Sequence, residues 1–227
     1  MYFFNKRNGN ILKIIPTEEI KVKSQFNNNL SLINNEDLIF LNTYGSLYSI
    51  NLSSKKINWF INLNPSLSVL PSNLFQGNII VNNDNEIIAS SKNKTFFIDK
   101  NSGSIIKIFN FSSSMKPIIN NDIAIFLTKN NFLIALSLKT KNIIYSYDLK
   151  KIHELKKVIN KDDVFKEIMI LNSEIFVFFK NSQVVIFNLN GAFKEIRKLP
   201  SKINTSPISI GKSILYINNR SKLVVIN

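Results

Sequence analysis

Short apolar runs alternate with polar turns along the whole chain. Many runs are apolar at consecutive positions, as in 38–41 and 175–179. Asn and Asp fill the gaps between runs, for example at 120–122 and 129–131, and both residues suit tight turns because they tolerate positive φ. The pattern predicts an all-β chain of hairpins whose strands are covered on both faces.

One phrase recurs along the chain: an apolar strand, a polar anchor residue, a loop of three to five polar residues, and a second apolar strand. Its anchors are Asn5, Asn51, Asp99, Ser137, Asn188 and Asn227. They lie 46, 48, 38, 51 and 39 residues apart, with a mean of about 44. A period in the forties built from short strands is typical of a β-propeller blade, so the sequence predicts a β-propeller of about five four-stranded repeats.

Four of the repeats are complete, and the fifth is divided between the chain ends. The complete repeats cover 24–63, 71–112, 113–149 and 164–200. Residues 203–227 are expected to supply three strands of the fifth repeat, and 2–15 its fourth strand. Pairing the two ends would remove exposed sheet edges. We therefore expect residues 1–227 to form a single propeller domain.

The segment 149–166 interrupts the repeat. Its apolar residues recur at helical intervals, and its lysines fall on the other side. The apolar positions are Leu149, Ile152, Leu155, Val158 and Ile159, and the lysines are Lys150, Lys151, Lys156 and Lys157. The spacing predicts a short helical insertion packed on the propeller rim, with a partner-binding or membrane-surface element as the alternative.

Composition excludes several classes of site. The 227-residue chain has no Cys, so disulfides, thiolate metal sites and a lipid on Cys are ruled out in this sequence. Its one histidine, His153, disfavours a metal site built on imidazoles. No apolar run reaches the roughly 18 residues of a membrane span, and no signal peptide is visible after Met1.

The chain is basic, with 29 Lys and Arg against 15 Asp and Glu, a net charge of +14 and a pI near 9.8. Such a balance favours attraction to nucleic acid, anionic lipid or an acidic partner. A biased genome is the alternative, because Lys, Asn, Ile and Phe all have A/T-rich codons. The lysines are scattered along the sequence, which favours the second explanation, and no nucleic acid partner is expected.

Acidic residues offer little catalytic chemistry. The adjacent pairs at 18–19, 36–37 and 162–163 are typical of solvated turns and helix caps, and six scattered glycines form neither a phosphate-binding loop nor a nucleophile elbow. We therefore expect a non-enzymatic protein with no catalytic residues, no cofactor and no metal. The sequence identifies no protein-binding residues.

The segment Gly45-Ser46-Leu47-Tyr48-Ser49-Ile50-Asn51, followed by Lys56-Ile57-Asn58-Trp59, resembles the pyrroloquinoline-quinone-type propeller repeat. Residues 97–104, 205–216 and 116–119 resemble its turn and its leading hairpin. The repeat's Trp is kept only at Trp59, and its turn Gly is missing from two of the five copies. The family includes quinone-dependent dehydrogenases with a bound calcium ion and non-catalytic propellers of the BamB type, and residues 221–227 resemble the end of the second branch.

This resemblance implies a non-catalytic scaffold of outer-membrane β-barrel assembly that docks partner proteins through propeller loops, as a monomer on the periplasmic face of the outer membrane. A fragment of a quinone-dependent dehydrogenase is the first alternative, and a basic surface for nucleic acid or anionic lipid is the second. Scaffolds of this branch have eight blades, a signal peptide and a lipidated Cys. The chain is therefore expected to be the C-terminal part of a larger propeller or a small complete one, which would be cytoplasmic.

Overall fold

The computed structural model describes residues 1–18, 30–33, 36–64, 80–83, 85–91, 93–157 and 165–226. The chain divides into two compact units, Met1–Ser112 and Ser113–Asn227. The strands of the first unit are β1 (Tyr2–Phe4), β2 (Ile11–Ile14), β3 (Leu30–Ile33), β4 (Asp37–Leu41), β5 (Ser46–Asn51), β6 (Lys56–Asn62), β7 (Val81–Asn82), β8 (Glu86–Ser90), β9 (Thr95–Asp99) and β10 (Ile105–Phe109). The strands of the second unit are β11 (Ile118–Asn120), β12 (Ile123–Leu127), β13 (Phe132–Ser137), β14 (Ile143–Asp148), β15 (Phe165–Leu171), β16 (Glu174–Phe179), β17 (Gln183–Asn188), β18 (Phe193–Lys198), β19 (Ile208–Ile210), β20 (Ser213–Ile217) and β21 (Leu223–Ile226).

Each complete repeat folds as one antiparallel meander, as the sequence predicts. The four sheets are β3–β6, β7–β10, β11–β14 and β15–β18, and each strand pairs with its neighbours in sequence. Asn-rich segments form the predicted turns: Asn121 adopts φ 50° between β11 and β12, and Asn131 adopts φ 65° between β12 and β13. The first and fourth strands are therefore the two edges of every sheet.

The two ends of the chain form smaller sheets. Strands β1 and β2 pair with each other, and β19, β20 and β21 form a three-stranded sheet. Residues 2–15 form both strands of the recurring phrase around Asn5, although the divided fifth repeat assigned them only its fourth strand, because Gly9 turns the chain at φ 74° and donates its N–H to the Asn5 carbonyl at 2.8 Å. Completion of a fifth blade from the two ends, and a single domain over 1–227, stay predictions.

Alternating side chains of each central strand enter two different cores. In β17, Val185 and Phe187 pack in a core shared with sheet β11–β14. The intervening Val184 and Ile186 pack in a core shared with β19–β21. In a strand, side chains alternate between faces, so a continuous apolar run buries both faces of its sheet. The predicted two-sided covering of the strands is confirmed at this sheet.

Strand β5 shows the same arrangement in the first unit. Leu47 packs with residues of sheet β7–β10, among them Ile87 and Ile98. Tyr48 and Ile50 face the other way and pack with residues of the N-terminal hairpin. Both faces of the sheet β3–β6 are thus covered by neighbouring sheets of the same unit.

An indole ring connects consecutive sheets of the first unit. Trp59 on β6 donates its Nε1–H to the Lys100 carbonyl at 3.0 Å, in the turn that follows β9. Gly103 closes that turn at φ 74°, and a Cβ built on it would lie 2.5 Å from Cε3 of Trp59. The ring therefore packs flat against a turn that has room only for glycine.

The ring of Tyr145 on β14 connects consecutive sheets of the second unit. Its hydroxyl donates to the Leu189 carbonyl at 3.1 Å, in the turn between β17 and β18. A Cβ on Gly191 would lie 2.5 Å from Tyr147 and 2.7 Å from Tyr145. Burial raises the pKa of Tyr145 to about 12, with a smaller contribution from Tyr147. Tyr145 thus occupies in the second unit the position that Trp59 occupies in the first.

Two 3-10 turns follow β14 where the sequence predicted a helix within 149–166. They are Leu149–Lys151 and His153–Lys157. Between them Ile152 has extended backbone, with φ −72° and ψ 117°, which stops a continuous helix. Residues 158–164, including two of the predicted apolar positions, lie outside the described residues.

The side chains of these turns are divided between core and solvent. Leu149 and Leu155 are fully buried in the core of sheets β11–β14 and β15–β18. Asp148 starts the first turn by accepting the Lys150 N–H at 3.0 Å. His153 is exposed. Leu149 and Leu155, two of the apolar positions that suggested a helix, therefore pack this connection against the core of the second unit.

Candidate docking surfaces

Among the described residues, the fourth strand of each complete sheet has no further strand beside it and is an edge of the sheet. The third strands β5, β9, β13 and β17 are almost wholly buried, whereas the fourth strands β6, β10, β14 and β18 are largely exposed. An exposed edge presents a row of N–H and C=O groups that can pair with another strand. These four strands are therefore candidate docking sites for an extended protein segment.

Two of the edges are apolar. On β14, Ile143 and Ile144 are each 51% exposed, and Tyr147 is 41% exposed. No charged residue occurs in β14 before Asp148 at its end. On β10, three isoleucines at 105, 106 and 108 are exposed, interrupted by a single lysine. Before Asp148, strand β14 lacks the charged side chains that usually discourage strand addition, and β10 carries one of them, Lys107.

The edge strand β18 differs from these two because it is charged. Lys194 forms an ion pair with Glu174 of β16. Arg197 pairs with Glu195 within the strand, and its guanidinium hydrogen bond lowers the pKa of that carboxyl. Charges on an edge oppose the approach of a second strand. Strand β18 therefore provides a natural comparison for β10 and β14.

The edge strand β6 carries an exposed aromatic ring. Phe60 is 62% exposed and stacks on Tyr48 of β5, with ring centroids 5.7 Å apart. Tyr48 in turn stacks on Phe40 of β4 at 6.3 Å. The three rings form a ladder across the sheet, so Phe60 is held in place from within.

The repeat anchors shape the turns between third and fourth strands. Asp99 accepts hydrogen bonds from the N–H groups of Asn101 and Ser102 at 3.1 and 2.7 Å, and these bonds lower the pKa of its carboxyl. Asn51 and Ser137 each accept an N–H from three residues further on, at 2.8 and 3.1 Å. Such side chain to backbone bonds are typical of Asx and ST turns.

Two of the other three anchors lie in the described residues. Asn5 accepts the Arg7 N–H at 2.9 Å. Asn188 shapes its turn through its backbone, whose N–H donates to the Ala192 carbonyl at 2.9 Å. The sixth predicted anchor, Asn227, lies outside the described residues. The assignment of the six anchors as structural residues stays a proposal.

One member of each of two predicted acidic pairs accepts side-chain hydrogen bonds from asparagines. Glu18 accepts the side-chain N–H of Asn42 at 2.8 Å. Asp37 accepts the side-chain N–H groups of Asn51 and Asn58 at 3.2 and 3.0 Å. Glu19, Asp84, Asp162 and Asp163 lie outside the described residues.

Within the described ranges, no three His, Cys, Asp or Glu side chains come together in a way that could hold a metal ion. The helices of the described segments are also too short or too polar to cross a membrane.

Comparisons with known proteins identify the fold. No family model and no curated protein sequence matches the chain. The structure of BamB from Moraxella catarrhalis is similar over 99% of this chain and 65% of that one, with a TM-score of 0.75 and 12% identity. The computationally designed Ika8 protein is similar over 86% of this chain and 56% of that one, with a TM-score of 0.63 and 8% identity.

These similarities confirm the predicted fold, a BamB-like β-propeller built of four-stranded antiparallel sheets. The chain spans less than two thirds of the BamB chain.

Sequence reasoning missed the tyrosine that takes the place of the repeat's tryptophan. Trp59 lies eight residues after its anchor Asn51, and Tyr145 lies eight residues after Ser137. The two residues also share a position in the ladder, Trp59 opposite Ser49 and Tyr145 opposite Ala135. An aromatic residue at this spacing, whatever its type, was the signal that could have found it.

Proposed function

We propose that the chain is a non-catalytic interaction scaffold that docks partner proteins, and that strand β14 is one of its docking edges. The observation that carries this proposal is the uncharged stretch Ile143–Tyr147, with its exposed isoleucines, at the edge of a sheet whose two central strands are buried. The sheet is a rigid support because both β12 and β13 are almost fully buried. Docking on an edge of this kind needs no rearrangement of the core.

The docking mode is addition of a strand. An extended partner segment pairs its backbone with the free N–H and C=O groups of β14, and the affinity comes largely from those main-chain hydrogen bonds. Specificity comes from side chains at alternate positions, which contact Ile144 on one face or Tyr147 on the other. The partner segment that fits best is therefore extended and apolar at alternate positions. Strand β10 offers a second edge of the same type.

The resemblance to BamB supports a place for this scaffold in outer-membrane protein assembly. The proposed partner is a subunit of the outer-membrane β-barrel assembly machinery, bound at the periplasmic face by a monomer of this protein. Propeller loops near β14 would add contacts to those of the edge strand.

The experiment measures binding of such a subunit to the purified chain and to two variants. Ile144→Lys adds a charge to the β14 edge, and we expect it to weaken binding by about tenfold or more. Arg197→Gln changes the charged edge β18, and we expect it to leave binding unchanged. Near-UV and far-UV circular dichroism of all three proteins checks that the fold is retained.

Two outcomes would overturn the proposal. Equal binding by the Ile144→Lys variant and the parent would exclude the β14 edge. Calcium-dependent binding of pyrroloquinoline quinone with dye reduction, and no binding of the assembly subunit, would instead support a fragment of a quinone-dependent dehydrogenase.

A further inference from the structure

The topology of the second unit collects two kinds of connection at one end of its sheets. These are the turns between second and third strands and the connections that leave each fourth strand. Leu149 donates its N–H to the Asn131 carbonyl at 2.9 Å, and Leu199 donates to the Ser182 carbonyl at 2.8 Å. Each of these hydrogen bonds joins a connection to the turn of its own sheet.

The same end continues into the last sheet. Asn219, in the turn between β20 and β21, donates its N–H to the Lys202 carbonyl at 3.1 Å. The connection from Leu199 to Ile203 thus runs from the turn at Ser182 to the turn at Asn219. The turns of these two sheets therefore lie side by side.

This end of the unit carries an excess of positive charge. Its exposed basic residues, here termed the basic rim, are Lys116, Lys129, Lys150, Lys151, Lys180, Lys198, Lys202, Arg220 and Lys222. The acidic residues in the described turns and connections at this end are Asp148 and Glu154. This end therefore carries nine basic and two acidic residues, a net excess of seven positive charges.

The opposite end of the same unit is close to neutral. Its described turns and the strand ends beside them carry Lys139, Lys141, Lys194 and Lys212, with Asp122, Glu174 and Glu195 as their acidic counterparts. The positive charge of this unit is thus concentrated at one end, although the lysines look scattered in the sequence. Codon bias can account for the number of lysines, but the field they produce depends on where the fold places them.

The chemistry of the basic rim favours a diffuse anionic surface. All but one of its residues are lysines, which act as point charges, whereas arginine is the residue suited to paired contacts with single phosphates. In the second unit, no Phe, Tyr or Trp occurs in the described rim segments 113–117, 128–131, 149–157, 180–182, 199–207 and 218–222, so these segments offer no platform on which bases could stack. These features suit a surface with many evenly spread negative charges.

We infer that the basic rim associates with the surface of an anionic lipid bilayer. Coulombic attraction between the lysines and the lipid headgroups holds the protein at the surface, without insertion into the hydrocarbon. Each basic residue near such a surface contributes a modest part of the binding free energy, and several together give measurable binding. Salt weakens the attraction because it screens charges beyond about 8 Å at physiological ionic strength.

The experiment uses vesicle co-sedimentation of the full chain. One set of vesicles contains about one third phosphatidylglycerol in phosphatidylcholine, and the other contains phosphatidylcholine alone. Lys180→Gln with Lys202→Gln removes two charges from the basic rim. Lys139→Gln with Lys212→Gln removes two charges from the opposite end, so the two double variants have the same net charge.

We expect the parent to bind the anionic vesicles and to be released by salt near 0.5 M, with no binding to phosphatidylcholine. The rim variant should bind about 20-fold more weakly and the control variant less than about threefold more weakly. Equal weakening by both variants, or equal binding to neutral vesicles, would overturn the inference. Tight, salt-sensitive binding to a duplex DNA without vesicle binding would assign the rim to nucleic acid instead.

Discussion

Two turns of the molecule share one backbone path but differ at one residue. In the turn that follows β9, Gly103 adopts φ 74° and donates its N–H to the Asp99 carbonyl at 2.9 Å. In the turn that follows β13, Lys141 adopts φ 57° and donates to the Ser137 carbonyl at 2.9 Å. The turn itself therefore accepts a side chain, at the moderate cost of positive φ. The difference lies in what packs against the turn.

An aromatic ring decides where glycine is required. The ring of Trp59 would meet a Cβ on Gly103 at 2.5 Å, a distance that real Cβ contacts do not reach. Gly9 closes an equivalent turn after β1 at φ 74°, with nothing within 4 Å of its Cβ position. Comparison of the three turns distinguishes the free-energy cost of positive φ from the cost of steric contact with a ring.

The largest effect is expected from Gly103→Ala. The added methyl group forces Trp59 or the turn to shift, and positive φ adds strain, so the free energy of unfolding should fall by about 3 kcal/mol. Gly9→Ala is the matched control, because it has the strain without the contact and should cost about 1 kcal/mol. Chemical denaturation of both variants measures the two values. Equal losses would show that the ring contact has no part in the requirement for glycine.

A double variant sharpens this result. In a Trp59→Ala background the ring is absent, so the further cost of Gly103→Ala should fall to about that of Gly9→Ala. The expected coupling free energy between the two positions is therefore about 2 kcal/mol. Denaturation of the parent, both single variants and the double variant gives this value. Additive losses would contradict a direct contact between ring and turn.

The relation between ring and turn can be seen in the sequence once the structure explains it. In two repeats the residue eight positions after the anchor is aromatic, and the turn of the next repeat contains glycine. Trp59 precedes the turn with Gly103, and Tyr145 precedes the turn with Gly191. In two other repeats the residue at this position is a lysine, and the turn of the next repeat has a lysine at positive φ in place of glycine. Lys13 precedes the turn with Lys55, and Lys107 precedes the turn with Lys141. Two turn glycines looked lost from the repeat, but each loss follows the absence of an aromatic ring in the repeat before it.

Most of the strands could be predicted because apolar runs and Asn-rich turns are local signals. The hairpins at Asn121 and Asn131 and the four complete sheets are found where the sequence places them. In the described part of the predicted helical insertion, residues 149–157 form two 3-10 turns, because Ile152 is extended and Leu149 and Leu155 enter the core, which the spacing of apolar residues alone cannot show.

The docking surfaces were harder to predict. The basic rim depends on which turns the topology brings to one end, and that cannot be read from the order of residues in the chain. The contrast between the apolar edge β14 and the charged edge β18 likewise depends on which strands are fourth in their sheets.

Tyr145→Phe should have a smaller effect than either glycine variant. It removes the hydrogen bond to the Leu189 carbonyl but keeps the ring over Gly191, so the free energy of unfolding should fall by about 1 kcal/mol at pH 7. Urea denaturation at pH 7 measures this loss. No loss would mean that the hydroxyl bonds equally well to water.

The same variant has a distinct pH dependence. The folded-state pKa of Tyr145 is about 12, above the ordinary value of 10.0, so between these values the folded protein keeps a proton that the unfolded chain releases. The stabilisation by the tyrosine hydroxyl is therefore complete below pH 10 and decreases as the pH rises towards 12. The difference between parent and Tyr145→Phe should shrink across that range. A constant difference would contradict the raised pKa.

The smallest effect is expected from Lys141→Gly, which restores the glycine that the repeat pattern calls for. Glycine relieves the strain of φ 57°. It also raises the conformational entropy of the unfolded chain and removes the hydrogen bond from the lysine ammonium group to the Leu138 carbonyl. These contributions oppose each other, so the free energy of unfolding should change by less than about 0.5 kcal/mol. Thermal and urea denaturation beside the parent measure the change. A gain above about 1.5 kcal/mol would mean that positive φ alone makes glycine necessary, and the role given to the aromatic rings would then be wrong.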